Sequence, residues 1–283
     1  MIIEIGPADR IWHPRWCRYV RAVFPRAGFE RWIAWGEWGP DYLALAWVHE
    51  DAVIAGVGLT RMRLLVEGRL VDAWQFGAVG CVPAWRSQGH ARRLMREALR
   101  RIGDTPALLY ANAYVLDFYP RFGFRPQAET AFALDHSLVP SGIPAPVADW
   151  EDPQTRARVH ALSANGIAST ERFGARDHGR IISWYAANGY ARPLRMLAPG
   201  SWVIAGVEGD TLHVDDILSE QPFDLMEALP ALIDRPVTRI RFGFSPERWY
   251  SGPLHTEVDT SACLFTRGLT PPALSRLPEL AHT

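Results

Sequence analysis

Residues 79–94 read VGCVPAWRSQGHARRL, and the reading of this stretch decides the fold. An apolar run ends at Pro83, and a tight loop follows that holds Arg86, Gln88 and Gly89. The chain then enters HARRLMREALRRI, in which Ala91, Leu94, Met95, Ala98, Leu99 and Ile102 recur at helical spacing as one buried stripe. Arg92, Arg93, Arg96, Arg100 and Arg101 fall off that stripe and make a solvated face. A strand that turns straight into a helix aims several backbone N–H groups beyond the helix N-terminus, where the helix dipole adds partial positive charge. Gly89 lets a ligand come close to the backbone, and Ala91 keeps the first turn unobstructed, so a pyrophosphate fits there.

Working outward, 41–48 (DYLALAWV) and 53–66 (VIAGVGLTRMRLLV) read as strands joined by His49-Glu50-Asp51. After the Glu67-Gly68 turn a third strand runs from Leu70 to Val82. Beyond the helix, 107–113 (ALLYANA) is a buried strand, 115–122 a short helix ending at Gly123, and FRPQAETAFALD a returning strand. Residues 140–152 lie in a stretch punctuated by Pro140, Pro144, Pro146 and Pro153, which reads as a linker between residues 1–139 and 153–283. The second half repeats the order of elements: helices over 153–165 and 176–188, strands near 194–197, 202–207 and 211–218, a helix over 222–234 bent at Pro230, and a strand over 237–244. In that scheme Glu208-Gly209-Asp210 takes the hairpin position of His49-Glu50-Asp51.

Neither common nucleotide loop is present: GxxxxGK[ST] is missing, and no GxGxxG follows a strand. The segment Cys81-Val82-Pro83-Ala84-Trp85-Arg86-Ser87-Gln88-Gly89-His90-Ala91 instead resembles the V-x-P-x-x-[RQ]-x-x-G-x-[GA] signature of the GNAT N-acetyltransferase superfamily. Cys81 stands where that family has a small aliphatic residue, and Trp85 at a position that is commonly Tyr. ANAYVLDFYPRFGFRP resembles the next family motif, with Tyr119, Gly123 and Phe124 matching. The resemblance covers residues 40–135 and implies an α/β (α+β) fold, a mixed and mostly antiparallel sheet flanked by helices. With the repeated element order it implies two such domains in tandem, the second a degenerate copy that has lost the cofactor.

The resemblance also implies chemistry. Acetyl-CoA is the expected co-substrate, with no metal. Its pantetheine would pair with the backbone of Val79, Gly80 and Cys81, and its pyrophosphate would rest on Gln88, Gly89, His90, Ala91 and Arg92 beside Arg86. A primary amine, on a small molecule or a peptide, would attack the thioester directly, and Tyr119 would protonate the departing thiolate. Asn112 would orient the cofactor or Tyr119. The family often carries a Glu on the third of these strands as base, whereas this strand has Gln75 and no acid after Asp72. Asp72, His49, Glu50 or a water relay stay open for that role, and a non-catalytic acyl-CoA sensor is the alternative function.

Thirty basic against thirty-one acidic residues argue against a general nucleic-acid binder. Cys17, Cys81 and Cys263 form neither a disulfide framework nor a zinc pattern. Without a signal-peptide plan or an apolar run that would span a bilayer, a cytoplasmic protein off the membrane is expected, and a homodimer is compatible with it. Cys81 reads as a small core residue rather than a nucleophile. The tryptophans crowded at Trp12, Trp16, Trp32, Trp35, Trp38 and Trp47 read as bulk around the first helices. His213 and Asp215, alternating on one strand, read as surface polarity.

Overall fold

The structure, a computed structural model, describes every residue except Pro199 and Ala262. The first half opens with β1 (Ile2–Ile5), α1 (His13–Val23) and α2 (Glu30–Ala34), followed by β2 (Tyr42–His49), β3 (Ala52–Val66) and β4 (Arg69–Cys81). Then come α3 (His90–Ile102), β5 (Ala107–Tyr110), β6 (Arg125–Gln127) and β7 (Thr130–Leu138). The second half holds α4 (Pro153–Asn165), β8 (Phe173–Arg176), α5 (Gly179–Ala187), β9 (Leu194–Ala198), β10 (Ser201–Glu208) and β11 (Thr211–Ser219). It ends with α6 (Leu225–Ala228), β12 (Val237–Phe242), β13 (His255–Val258) and β14 (Leu264–Arg267).

Two mixed sheets result. The first runs β1-β2-β3-β4-β5-β14-β6, with β8 added alongside the end of β3, and the second runs β13-β7-β12-β11-β10-β9. Each holds one parallel pair, β4 with β5 and β11 with β12, among antiparallel neighbours. The halves exchange strands. β7 lies in the second sheet beside β12, and β14 enters the first between β5 and β6. Sheet membership therefore does not divide at the linker drawn through residues 140–152.

The FRPQAETAFALD segment is thus two strands in two sheets rather than one. The strand expected to reach residue 113 stops at Tyr110, and 3-10 turns at Ala113–Val115 and Tyr119–Phe122 stand where a short helix was expected. The helix expected over 222–234 is the four-residue α6 and a 3-10 turn, Leu229–Ala231, because Pro230 cannot donate to the helical ladder. Counted back from the parallel pair, the turn at Glu208-Gly209-Asp210 joins β10 to β11 as Glu67-Gly68 joins β3 to β4. It is not the counterpart of His49-Glu50-Asp51.

α3 lays its apolar stripe on one face of the first sheet, where Leu94, Met95, Ala98 and Ile102 meet Val57, Leu59, Phe76 and Leu109. α1 and α2 cover the opposite face, and Trp16, Trp32 and Trp38 are buried there as bulk. Trp35 instead lies between the guanidinium groups of Arg31 and Arg156, at 4.8 and 4.7 Å from its ring centre.

Candidate active site

The parallel pairing of β4 with β5 covers only Trp74, Gln75 and Phe76 against Ala107, Leu108 and Leu109. Beyond that point the two strands separate. A bulge opposite Gly56–Gly58 helps to turn β4 away, with Ala78 in the left-handed region at φ 48°. The edge from Gly77 to Cys81 has no strand on its β5 side. Val82 N–H donates to Ile54 O (2.9 Å), and antiparallel alternation turns the peptide groups of Cys81 the other way, into the gap. The carbonyl of Cys81 accepts Arg86 Nε at 3.2 Å, which leaves its amide as the free group there.

The gap leads to the loop before α3. Ser87 (φ 63°) and Gly89 (φ 81°) are left-handed, and no side chain caps the helix. Among the described residues the amides of Gln88, Gly89, His90, Ala91 and Arg92 have no acceptor. A Cβ added at Gly89 would meet open space within 4 Å. Unpaired amides at an uncapped helix start, open in front, fit an anionic phosphate. Arg92 and Arg96 are exposed beside them. His90 is wedged between Trp47 and Trp85, with ring centres at 4.6 and 5.9 Å. Burial and the Arg93 guanidinium hold its pKa below the ordinary value.

Tyr119 lies under the same face, against Phe118, Phe124 and Phe265. Burial pushes its phenol up to about 12, so it carries its proton at neutral pH. Asn112 does not reach toward Tyr119. It is exposed, and its side chain accepts Tyr114 N–H at 3.1 Å, capping its own turn. The Cys81 thiol is raised by burial and donates to Trp85 O at 3.1 Å, as a core residue does.

Gln75, at the position where a family base was sought, is fully buried on the sheet face opposite α3. Its side chain donates to Ala281 O (2.8 Å) and accepts Thr283 N–H (2.9 Å). It therefore fixes residues 281–283 beside Gly77, whose Cβ would come within 3.0 Å of Thr283 Oγ1. His282 stacks on Tyr110 at 3.6 Å, and Tyr110 donates to the buried carboxyl of Glu129 at 3.1 Å. Nothing in the local sequence of 275–283 signals this placement, which depends on Arg276 pairing with Asp259 and Glu279 at 2.6 Å each.

Asp72, His49 and Glu50 do not converge on the gap. Asp72 pairs across strands with Arg63, well before the separation point; His49 ends β2 with its ring 4.4 Å from that of Trp85, and Glu50 sits in the β2–β3 turn. The expected surface polarity of the 213–216 stretch is also corrected. A bulge at Ile204/Ala205 leaves Asp215 without a strand partner, and Asp215 and Asp216 are buried. Asp215 pairs with Arg192 (2.8 Å), burial nonetheless raising its carboxyl to about 6, and Asp216 is hydrogen-bonded to a ring nitrogen of His178 (2.8 Å).

Residues 13–127 match the family model described as an acetyltransferase (GNAT) domain. The first half of the chain carries a GNAT acetyltransferase domain. Such a domain belongs to an acyltransferase that uses acetyl-CoA. Three solved structures share the overall fold. A probable N-acyltransferase from Enterococcus faecalis aligns at a TM-score of 0.59 and 12% identity, covering 94% of this chain and 72% of that one. Eis1 from Mycobacterium abscessus aligns at 0.58 and 14%, covering 94% and 73%. A GCN5-related N-acetyltransferase from Anabaena variabilis aligns at 0.55 and 14%, covering 94% and 72%. No curated protein matches the chain by sequence. Among the described residues no helix is long and apolar enough to cross a membrane, and no group of three or more His, Cys, Asp or Glu is placed to hold a metal.

Proposed function

We propose that this protein acetylates a primary amine, which attacks the thioester of acetyl-CoA directly, and that the first sheet carries the reaction. The observation that carries this reading is the gap between β4 and β5, continuous with the unpaired amides at the start of α3. The pantetheine arm would take the place of the missing strand along Val79, Gly80 and Cys81. Gln88, Gly89, His90, Ala91 and Arg92 would hold the pyrophosphate, with Arg86 bracing the loop through Cys81 O. The free amide of Cys81 would polarise the thioester carbonyl. As the carbon–nitrogen bond forms and the carbon–sulfur bond breaks, Tyr119 would give its phenolic proton to the sulfur, and the proton shed by the nitrogen would return to the phenolate through solvent. Asn112 supports the turn that leads to Tyr119 rather than the cofactor. We read the acceptor as a small-molecule or peptide amine, in a protein that works as a monomer or homodimer apart from nucleic acid and membrane.

We read residues 153–283 as a GNAT-like unit that has lost its donor site. The alternative of an acyl-CoA sensor draws on Gln75, which serves as a clamp where a base was sought. Thermal unfolding with acetyl-CoA, NAD and ATP tests the donor. A ligand at a hundredfold excess over its Kd adds about 2.7 kcal/mol to stability. A shift with acetyl-CoA alone, lost in Gly89→Trp, is the expected result, and no shift at millimolar acetyl-CoA refutes the reading. Amine-dependent release of free CoA thiol separates the enzyme from the sensor.

A further inference from the structure

On the sheet face opposite α3, Gly56 faces Gly80 and Gly58 faces Gly77 across β3 and β4, at the point where β4 leaves β5. Aromatic rings fill the space that these glycines leave. Tyr19 and Trp16 press on Gly56, and Tyr42 on Gly58. The hydroxyl of Tyr19 is satisfied, donating toward Ala78 O at 2.7 Å with Gly56 O at 3.2 Å. Thr283 Oγ1 is buried without a hydrogen-bond partner, and buried Tyr42 Oη has nothing facing it except the indole N–H of Trp16, turned toward it beyond ordinary hydrogen-bond geometry, so that an acceptor lone pair stays unused. The two oxygens meet at one glycine pair. Tyr42 Oη lies 2.6 Å from where a Gly58 Cβ would stand, and Thr283 Oγ1 lies 3.0 Å from the corresponding point on Gly77. Directly opposed positions of this kind are about 5 Å apart. Burial raises the Tyr42 phenol's pKa, and the Trp16 N–H directed at it offsets part of the rise. Buried polar atoms are rarely left unpaired, because each costs stability. Gly77 directly follows Phe76, the last residue of β4 that pairs with β5, so these atoms lie where the gap begins.

We propose that Tyr42 and Thr283 are the positioning residues for the acceptor nitrogen, accepting its two N–H bonds over the Gly58–Gly77 pair. The inference rests on the acetyl-CoA reading above and sharpens it. A neutral primary amine has two N–H groups to donate and one lone pair to keep. Anchored through both hydrogens, it turns that lone pair toward the thioester carbonyl. A secondary amine can satisfy only one of the two oxygens, so the site selects primary amines.

Two probes test this by calorimetry: CoA bearing an S-CH2-C(O)-NH-butyl arm, and the same molecule with the amide nitrogen methylated. Wild-type protein should bind the N–H form about tenfold more tightly than the N-methyl form, the order of one hydrogen bond to a buried partner. The single amide N–H can go to either oxygen, so the double variant Tyr42→Phe/Thr283→Val should lose that preference while leaving the affinity for unmodified CoA unchanged, which also shows that it is folded. An unchanged preference in the double variant overturns the proposal, as does wild-type protein that binds the two probes equally. If wild-type protein binds neither probe nor CoA, it is the donor reading that fails.

Discussion

Phe265 lies far along the sequence from the signature loop, yet its ring belongs to the first sheet. It stands opposite Leu109 on one side and Pro126 on the other, 4% exposed, with its ring centre 5.8 Å from that of Tyr119. Truncating such a buried ring removes its transfer energy and leaves a cavity, so Phe265→Ala should cost about 3–5 kcal/mol. That is a large part of the roughly 5–15 kcal/mol by which a domain is stable. The loss should fall on the donor site itself, because among the described residues β14 is the strand that joins β5 to β6. Urea unfolding gives the size of the loss, and native-state hydrogen exchange locates it. Amides of Ala107–Tyr110 and of α3 should lose protection with the global free energy. Were residues 1–139 a self-contained unit, those amides would keep their protection in Phe265→Ala and the isolated segment 1–139 would fold. Either result refutes the reciprocal exchange as an energetic coupling. We expect segment 1–139 to be unfolded or aggregated, with β5 an open edge and β6 unpaired.

Tyr119→Phe should lower amine-dependent turnover by about a hundredfold or more at unchanged acetyl-CoA affinity, the usual range for losing a positioned acid, and a full rate would remove Tyr119 from that role. Gln75→Leu leaves Thr283 N–H and Ala281 O unpaired in a buried site, so denaturant titration should show a loss of about 2–4 kcal/mol, with no effect on CoA binding at α3. His282 has its pKa driven down to about 3, by burial first and then by Arg276. Its unfolded form protonates near 6.5 while the folded form does not, so the unfolded state binds more protons and stability falls as pH drops from about 6.5 towards 3. The slope contributed is at most about 1.4 kcal/mol per pH unit. His282→Phe, which keeps the stack on Tyr110, should flatten that limb in urea titrations at stepped pH, and an unchanged slope would show that other groups set it.

The loop and helix that frame the candidate site were legible from local signals. Pro83, Gly89 and the stripe from Ala91 to Ile102 are short-range features, and the structure places the loop, the left-handed glycine and α3 where their spacing implies. The expected strands over 41–48, 53–66 and 70–82 were likewise set by local patterning. Strand partnership was not legible, because register and neighbours depend on contacts far apart in sequence. Nothing in LFTR (264–267) indicates that it slots beside ALLY, and nothing in TAFALDHSL (130–138) indicates that it leaves the first sheet. Burial of charge was hidden for the same reason. Asp215 and Asp216 read as polar surface because their partners, Arg192 and His178, come from segments that the sequence does not place beside them. Gln75 was noticed only as a missing acid, since its partners in the 281–283 segment lie 206 and 208 residues away.

The second sheet shows why the same topology need not hold the same ligand. β11 and β12 run parallel as β4 and β5 do, but where the first pair opens, the second stays shut. Gly243 N–H donates to Val214 O at 2.8 Å, and a Cβ on Gly243 would lie 3.0 Å from Asp215 O. No room for a pantetheine arm is left along that edge. The helix that follows is four residues long, and its start is capped by Asp224, which accepts Glu227 N–H at 3.2 Å. A carboxylate thus already occupies the position that an incoming phosphate would need, and its charge would repel one. Arg192, which reaches this edge, is committed to Asp215 and Glu208. Restoring an anion site would require opening the strands, removing the cap and freeing the cation together. Asp224→Ser alone should therefore gain no acetyl-CoA binding, measured by calorimetry on a Gly89→Trp background in which the first site is closed. Binding in that double variant would mean that the second unit needs only its cap removed, and that its strands open more readily than the Gly243–Val214 contact implies.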